Sequence, residues 1–90
     1  MNYYVYLLLT ISIKKHISYV GYTSNLNNRL KKHNSSSGAK FTKGRKWKII
    51  YSKKYSSKSK ALREEYKLKK DYKKRKIIKQ NYLLQYEKAN

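Results

Sequence analysis

Glu65 is the acidic residue whose position in the sequence most clearly indicates chemistry. At 100° of rotation per helical residue, the apolar side chains between residues 61 and 72 share one helix face. Glu65 falls inside that face, whereas Glu64 lies at its edge. The apolar members of the face are Ala61, Leu62, Tyr66, Leu68 and Tyr72. Because a carboxylate among apolar side chains is costly unless it is paired or bound to a cation, Glu65 is predicted either to bind a metal ion or to pair with Lys69, four residues further on.

Arg29 and His33 form a second pair of residues that could do chemistry. They are four residues apart and therefore share one side of a predicted helix. Arg29 lies beside the narrow apolar stripe of that helix, formed by Leu26 and Leu30. From there its guanidinium can point into a cleft at the sheet. The alternative is an ordinary solvated basic face, because two lysines lie between Arg29 and His33 in the sequence.

The composition excludes several kinds of site. The 90-residue chain has no cysteine and two histidines, which rules out disulfides, thiolate-bound zinc and multi-histidine metal centres. It has 24 lysines and arginines against 4 acidic residues, a net charge of +20. Because so large a charge repels itself, the composition indicates a polyanionic partner. Nucleic acid is the first candidate, and an acidic membrane surface is the alternative.

Residues 3–13 form the only long apolar run in the chain. A helix needs about 20 apolar residues to span a bilayer, so the run predicts a buried central strand instead. No basic residue precedes it, whereas a secretory signal has a charged leader. The sequence therefore predicts an intracellular, cytoplasmic protein without a membrane segment.

The segment after this run predicts a hairpin followed by a helix. Residues 17–22 form a second short strand directly after the basic residues at positions 14–16. Thr23 or Ser24 is predicted to cap a helix that ends near Asn34.

The second half of the chain predicts one more strand and two more helices. After a polar and basic loop, a strand begins at Trp47, and helices follow from about residue 57 to 70 and from about 72 to 82. Asp71 is positioned to cap the last helix. The predicted order is β-β-α-β-α-α, an α/β fold in which helices flank a three-stranded, mainly antiparallel sheet. We expect one domain over residues 1–82 and a tail over 83–90.

Two tripeptides relate these elements to a known family. Tyr4-Val5-Tyr6 lies on the first predicted strand, and Tyr19-Val20-Gly21 lies on the second, with Tyr19 13 residues after Tyr6. Further segments follow in the family's order and spacing, namely Asn25-Leu26, Arg29-Leu30, His33, the basic segment 38–45 and the helical segment 61–69. In this pattern the chain resembles the GIY-YIG nuclease superfamily over residues 3–80.

The resemblance implies roles for five residues. Tyr6 and Tyr19 would lie in the active site, where one phenol deprotonates the attacking water and the other orients it or contacts phosphate. Arg29 would contact the scissile phosphate, for which a planar guanidinium is suited. His33 would complete the catalytic set, and Glu65 would hold one Mg²⁺ or Mn²⁺ ion.

A basic segment before the third strand suits a surface that follows a phosphate backbone. Its cations are Lys40, Lys43, Arg45 and Lys46. Phe41 and Trp47, which lie in or next to this segment, are expected either to anchor it in the core or to stack on bases.

The resemblance implies a metal-dependent DNA endonuclease, active in DNA repair or recombination. Its substrate would be duplex, nicked or branched DNA, and it would need no small-molecule cofactor. The alternative is a basic module that binds nucleic acid without cleaving it, because the charge and the tyrosine content fit that function equally well.

Overall fold

The fold is a three-stranded sheet with one helix on one face and two helices on the other. The computed structural model describes residues 1–11, 16–35 and 45–89. The elements are β1 (Tyr3–Ile11), β2 (His16–Thr23), α1 (Leu26–Asn34), β3 (Lys48–Tyr55), α2 (Lys58–Lys70) and α3 (Tyr72–Ala89). This order confirms the α/β class and the β-β-α-β-α-α arrangement predicted from the sequence.

β1 is the central strand and pairs antiparallel with both neighbours, in the order β2-β1-β3. Its apolar sequence explains this position, because a strand covered on both faces has no polar side. The pairing places Tyr6 opposite Gly21 on β2 and opposite Ser52 on β3. The register against β3 shifts between Leu7 and Leu8, where the ladder is irregular.

Alternate residues of β1 contribute to two separate cores, one on each face of the sheet. The α2 face, covered by α2 and α3, buries Val5, Leu7, Val20, Ala61 and Leu68. The α1 face buries Tyr6, Leu8 and Trp47, with Tyr19, Leu26 and Leu30 packed against them. The two tyrosines of the predicted active site therefore lie on the α1 face.

α1 begins one residue later than the sequence indicated. Its N-cap is Asn25, whose side-chain oxygen accepts a hydrogen bond from the backbone N–H of Asn28 at 3.1 Å. The prediction of Thr23 or Ser24 was wrong, because the hydroxyl of Thr23 accepts from the backbone N–H of Asn25 at 3.1 Å and forms the turn before the helix.

α2 contacts the sheet along a narrower line than its sequence pattern suggested. Ala61 and Leu68 are buried, whereas Leu62, Tyr66 and Tyr72 are 40%, 61% and 62% exposed. Leu62 and Tyr66 are rotated by about 100° and 140° from Ala61 around the helix, which turns them away from the sheet. Tyr72 belongs to the next helix. The prediction of one broad apolar face was therefore wrong.

α3 begins after Asp71, which caps it as predicted by accepting from the backbone N–H of Lys74 at 3.0 Å. The helix continues to Ala89, beyond its predicted end near Tyr82. The domain boundary at residue 82 stays a prediction. Within the described ranges, no helix combines the length and the apolar character that crossing a membrane requires.

Candidate active site

Gly21 leaves the space that the ring of Tyr6 occupies. The two residues are direct partners in the β1–β2 ladder. A Cβ atom at position 21 would lie 2.5 Å from Cζ of Tyr6, closer than side chains approach one another. The glycine of the second tripeptide therefore allows the tyrosine of the first to lie across the sheet beside it.

Tyr6 and His33 form a buried hydrogen-bonded pair. The distance from Oη of Tyr6 to Nε2 of His33 is 3.0 Å, and neither side chain is more than 2% exposed. Burial, together with the nearby charge of Arg29, lowers the pKa of His33, so its imidazole is neutral near pH 7. Burial raises the pKa of Tyr6, and Arg29 partly offsets that effect. A protonated phenol and a neutral imidazole therefore share this hydrogen bond.

Arg29 has a buried donor without a partner among the described residues. Its Nε atom is inaccessible to solvent and makes no hydrogen bond with them. The guanidinium lies close enough to Tyr6 for its charge to offset part of the rise in the pKa of that phenol. Arg29 also lines a surface cleft of about 460 Å³, together with Tyr3, Tyr22, Thr23 and Lys58 among others. A buried cationic donor beside a cleft is suited to an anion, since an unmade hydrogen bond of a charged group is costly.

Tyr19 is the more accessible of the two tyrosines. It is half-buried, and its ring meets that of His33 edge to face with 5.2 Å between centroids. It also lines a groove of about 360 Å³ to which Lys69 and Arg75 contribute their cationic side chains. Tyr19 therefore contacts the same histidine as Tyr6 but also reaches the surface.

Glu65 is the carboxylate whose charge acts on Tyr6 of this cluster. Its side chain is 16% exposed, and its charge acts on Tyr6, whose pKa it helps to raise. Its Oε1 atom lies 3.3 Å from Nζ of Lys69, so the salt bridge that the helix spacing allowed is present. Glu64 pairs with Lys67 at 3.1 Å and lines a different cavity, with Tyr51 and Tyr55 of β3.

The chain also matches a known family of proteins. Residues 2–81 match the GIY-YIG catalytic domain. The chain belongs to the GIY-YIG family. Membership implies a nuclease-type enzyme that acts on nucleic acid.

Similar proteins of the GIY-YIG family come from bacteria. A UPF0213 protein of Oceanobacillus iheyensis is 42% identical over 69 residues, which are 76% of this chain and 77% of that protein. A UPF0213 protein of Staphylococcus haemolyticus is 41% identical over 69 residues, 76% of this chain and 80% of its own length. The solution NMR structure of UPF0213 protein BH0048 from Bacillus halodurans has a TM-score of 0.51 and 38% identity, covering 88% of this chain and 84% of that one. Both the fold and the sequence thus resemble this group.

The GIY-YIG domain offers a metal ion one carboxylate rather than a protein cage. Among the described residues, no three histidines or carboxylates come together in a way that could hold a cation. Mg²⁺ and Mn²⁺ prefer oxygen ligands, and Mg²⁺ keeps several waters in sites with one or two carboxylates and substrate phosphates. Glu65, a partly buried carboxylate on α2, fits that kind of site.

Part of the predicted basic surface can be located. Arg45 and Lys46 are exposed directly before β3, whereas Lys40, Lys43 and Phe41 lie outside the described residues. Trp47 is 3% exposed and packs against Tyr19, with 6.5 Å between ring centroids. It is thus a core anchor and not a base-stacking platform.

Asn34 is a residue whose role the sequence interpretation missed. Its Oδ1 atom accepts from the backbone N–H of Trp47 at 2.6 Å, and its Nδ2 atom donates to the carbonyl of Trp47 at 3.2 Å. The side-chain amide thereby fixes the segment before β3 next to His33. An asparagine at the end of a helix looks like ordinary loop chemistry, so the sequence carried little signal for this bond.

Proposed function

We propose that this protein is a divalent-cation-dependent DNA endonuclease that hydrolyses phosphodiester bonds. The observation that carries the proposal is the buried Nε of Arg29, which lies beside a cleft and beside Tyr6 without a partner among the described residues. A phosphoryl oxygen would satisfy that donor. Family membership supports a nuclease-type reaction at this position.

Arg29 binds the phosphate and stabilises the charge that develops during hydrolysis. A guanidinium presents several donors in one plane, and donors aimed at developing charge strengthen as the reaction proceeds. Since Nε is already buried, it is desolvated before the substrate arrives and pays no further desolvation penalty on binding.

The two tyrosines have different roles. Tyr6 stays protonated, because burial raises its pKa, and it is hydrogen-bonded to His33. Its function is to orient the cluster and to contact phosphate. Tyr19 is accessible from its groove and, in its phenolate form, takes the proton from the attacking water. The water oxygen bonds to phosphorus while the bond to the leaving deoxyribose oxygen breaks, and that oxygen takes up a proton from solvent water.

Glu65 is the metal ligand in this proposal. A bound Mg²⁺ or Mn²⁺ would supply Lewis-acid stabilisation of the leaving oxygen. Glu65 would hold the cation from α2, whereas Arg29 contacts the phosphate from α1. Two different helices therefore act on one phosphate. We place the reaction in DNA repair or recombination, on duplex, nicked or branched DNA, without a small-molecule cofactor.

A second candidate function is a basic module that binds nucleic acid without cleavage. The observation that favours it is the salt bridge between Glu65 and Lys69, which gives the carboxylate a structural partner. The net charge of +20 serves either function, since counterion release drives binding to any polyanion.

A cleavage assay separates the two functions. The purified protein is incubated with end-labelled linear, nicked and branched DNA in Mg²⁺, in Mn²⁺ and in EDTA, and retardation on a native gel is measured in parallel. The proposal expects cleavage that EDTA abolishes. Retardation of every DNA without a cleaved product in either metal would favour the binding module.

A further inference from the structure

Two glutamates of α2 are paired with lysines in nearly the same way but face different surroundings. Glu64 and Lys67 are 3.1 Å apart, and Glu65 and Lys69 are 3.3 Å apart. Glu64 faces β3, where it lines a cavity with Tyr51. Glu65 pairs with Lys69, which lines the same groove as Tyr19 of the candidate active site, and the Glu65 side chain is 16% exposed against 30% for Glu64. The Glu64–Lys67 pair is therefore a matched control, on the same helix, for the Glu65–Lys69 pair.

We propose that Lys69 holds the Glu65 carboxylate until a divalent cation displaces it, so that Lys69 sets the metal affinity of the site. Lys69 is a positioning residue in this scheme, because it acts through Glu65 and not on the substrate. The inference rests on the proposed function, since it requires Glu65 to be the metal ligand.

The competition follows from elementary electrostatics. A carboxylate that faces an ammonium 3.3 Å away cannot also bind a divalent cation without bringing two positive groups together. The pair itself is easily displaced, because an ion pair four residues apart on a helix surface is weak. The Lys69 side chain is 51% exposed, so its stem can swing away into water or into the groove that it shares with Tyr19.

Lys69 also keeps Glu65 in a usable position. A carboxylate beside a half-buried aromatic cluster would otherwise lose solvation without compensation. The salt bridge satisfies the charge and holds the side chain on the site's flank of α2. The carboxylate is therefore already in position before the cation binds. Because Lys69 competes with the cation, the metal affinity stays moderate.

The test measures metal binding by the free protein, without nucleic acid or turnover. Mn²⁺ is titrated into ¹⁵N-labelled protein, and the paramagnetic broadening of amide signals in α2 gives a dissociation constant. Lys69→Met should bind Mn²⁺ about 3- to 10-fold more tightly than wild type, because the repulsion by the ammonium is gone. Lys67→Met should leave the constant unchanged, and Lys69→Arg should restore the wild-type value.

A fourth variant separates failure of this inference from failure of the proposed function. Glu65→Gln should lose the broadening around residue 65. If it does, and Lys69→Met binds Mn²⁺ no more tightly than Lys67→Met, the role of Lys69 is wrong while Glu65 remains the ligand. If Glu65→Gln broadens like wild type, the metal assignment itself is wrong. Lys69 is half exposed, so its variants are expected to fold, and their amide spectra report this directly.

Discussion

The two faces of the sheet are built from the same strands but bury different chemistry. The α2 face buries aliphatic side chains such as Val5 and Leu7, which contribute hydrophobic stabilisation. The α1 face buries a phenol and an imidazole, which are tolerated there because Tyr6 and His33 satisfy each other. Alternation along β1 therefore gives the α2 face an aliphatic core and adds a hydrogen-bonded polar pair to the core of the α1 face.

Glu65 is the residue that joins the two faces. It lies on α2, which packs on the opposite face, yet its charge reaches Tyr6. Glu64, the next residue, is turned towards β3. The proposed site would therefore draw residues from both faces, and substitutions should reveal which residues belong to it.

The largest effect is expected at Glu65. Glu65→Gln keeps the shape of the side chain but loses the charge that binds the cation, and cleavage should fall by about 10³-fold or more. The measurement is the single-turnover cleavage rate in Mn²⁺. Glu64→Gln is the matched control and should cleave within about threefold of wild type. If both variants cleave at the same rate, Glu65 has only a structural role.

Substitution of a buried aliphatic residue on the α2 face should lower the stability of the protein without changing its chemistry. Leu68→Ala removes a side chain that is 4% exposed and should lower the free energy of unfolding by about 2–4 kcal/mol. Leu62→Ala, on the same helix but 40% exposed, should change it by about 0.5 kcal/mol or less. Urea denaturation followed by circular dichroism provides both values. A comparable loss in both variants would mean that the α2 contact is broader than described.

Gly21→Ala should disturb the α1 face selectively. The new Cβ would collide with the ring of Tyr6, so the phenol must move away from His33. We expect stability to fall by about 1–3 kcal/mol and cleavage to fall by about tenfold or more, because small misplacements of catalytic groups are costly. A variant that cleaves like wild type at full DNA affinity would show that the position of Tyr6 is unimportant.

The buried histidine should make stability depend on pH. The pKa of His33 is lower in the folded protein than the ordinary value of 6.5, so the unfolded chain binds more protons between those two values. Stability should therefore fall as the pH drops below about 6.5. His33→Gln should flatten this dependence, measured by urea denaturation at pH 7 and pH 5. The same change at the exposed His16 should leave the slope as in wild type.

The sequence predicted the fold because its strongest signals are local. The continuous apolar run of β1 has one stable location, at the centre of a sheet covered on both faces. Periodicity did not give the width of a helix contact, and for this reason Leu62 and Tyr66 were wrongly placed on one apolar face with Ala61 and Leu68. Neighbouring hydroxyl and amide side chains are all suited to capping a helix, so Asn25 was missed in favour of Thr23 or Ser24.

The candidate site could be predicted only through family resemblance. Nothing in composition or spacing distinguishes Tyr6 and Tyr19 from the other nine tyrosines. The bond from Tyr6 to His33 joins residues 27 positions apart, and the bond from Asn34 to Trp47 spans 13. Such long-range pairs depend on how α1 docks on the sheet, and helical periodicity does not encode that docking.

Arg29→Lys shows whether the guanidinium acts on the scissile phosphate, because it keeps the charge and removes the planar set of donors. Single-turnover cleavage and equilibrium affinity are measured on the same DNA. If Arg29 grips the phosphoryl oxygens, the rate should fall by about 10²-fold or more while affinity changes by about twofold at most. A lysine variant that cleaves within about threefold of wild type would contradict the account, since Arg29 would then be one more cation on a basic surface.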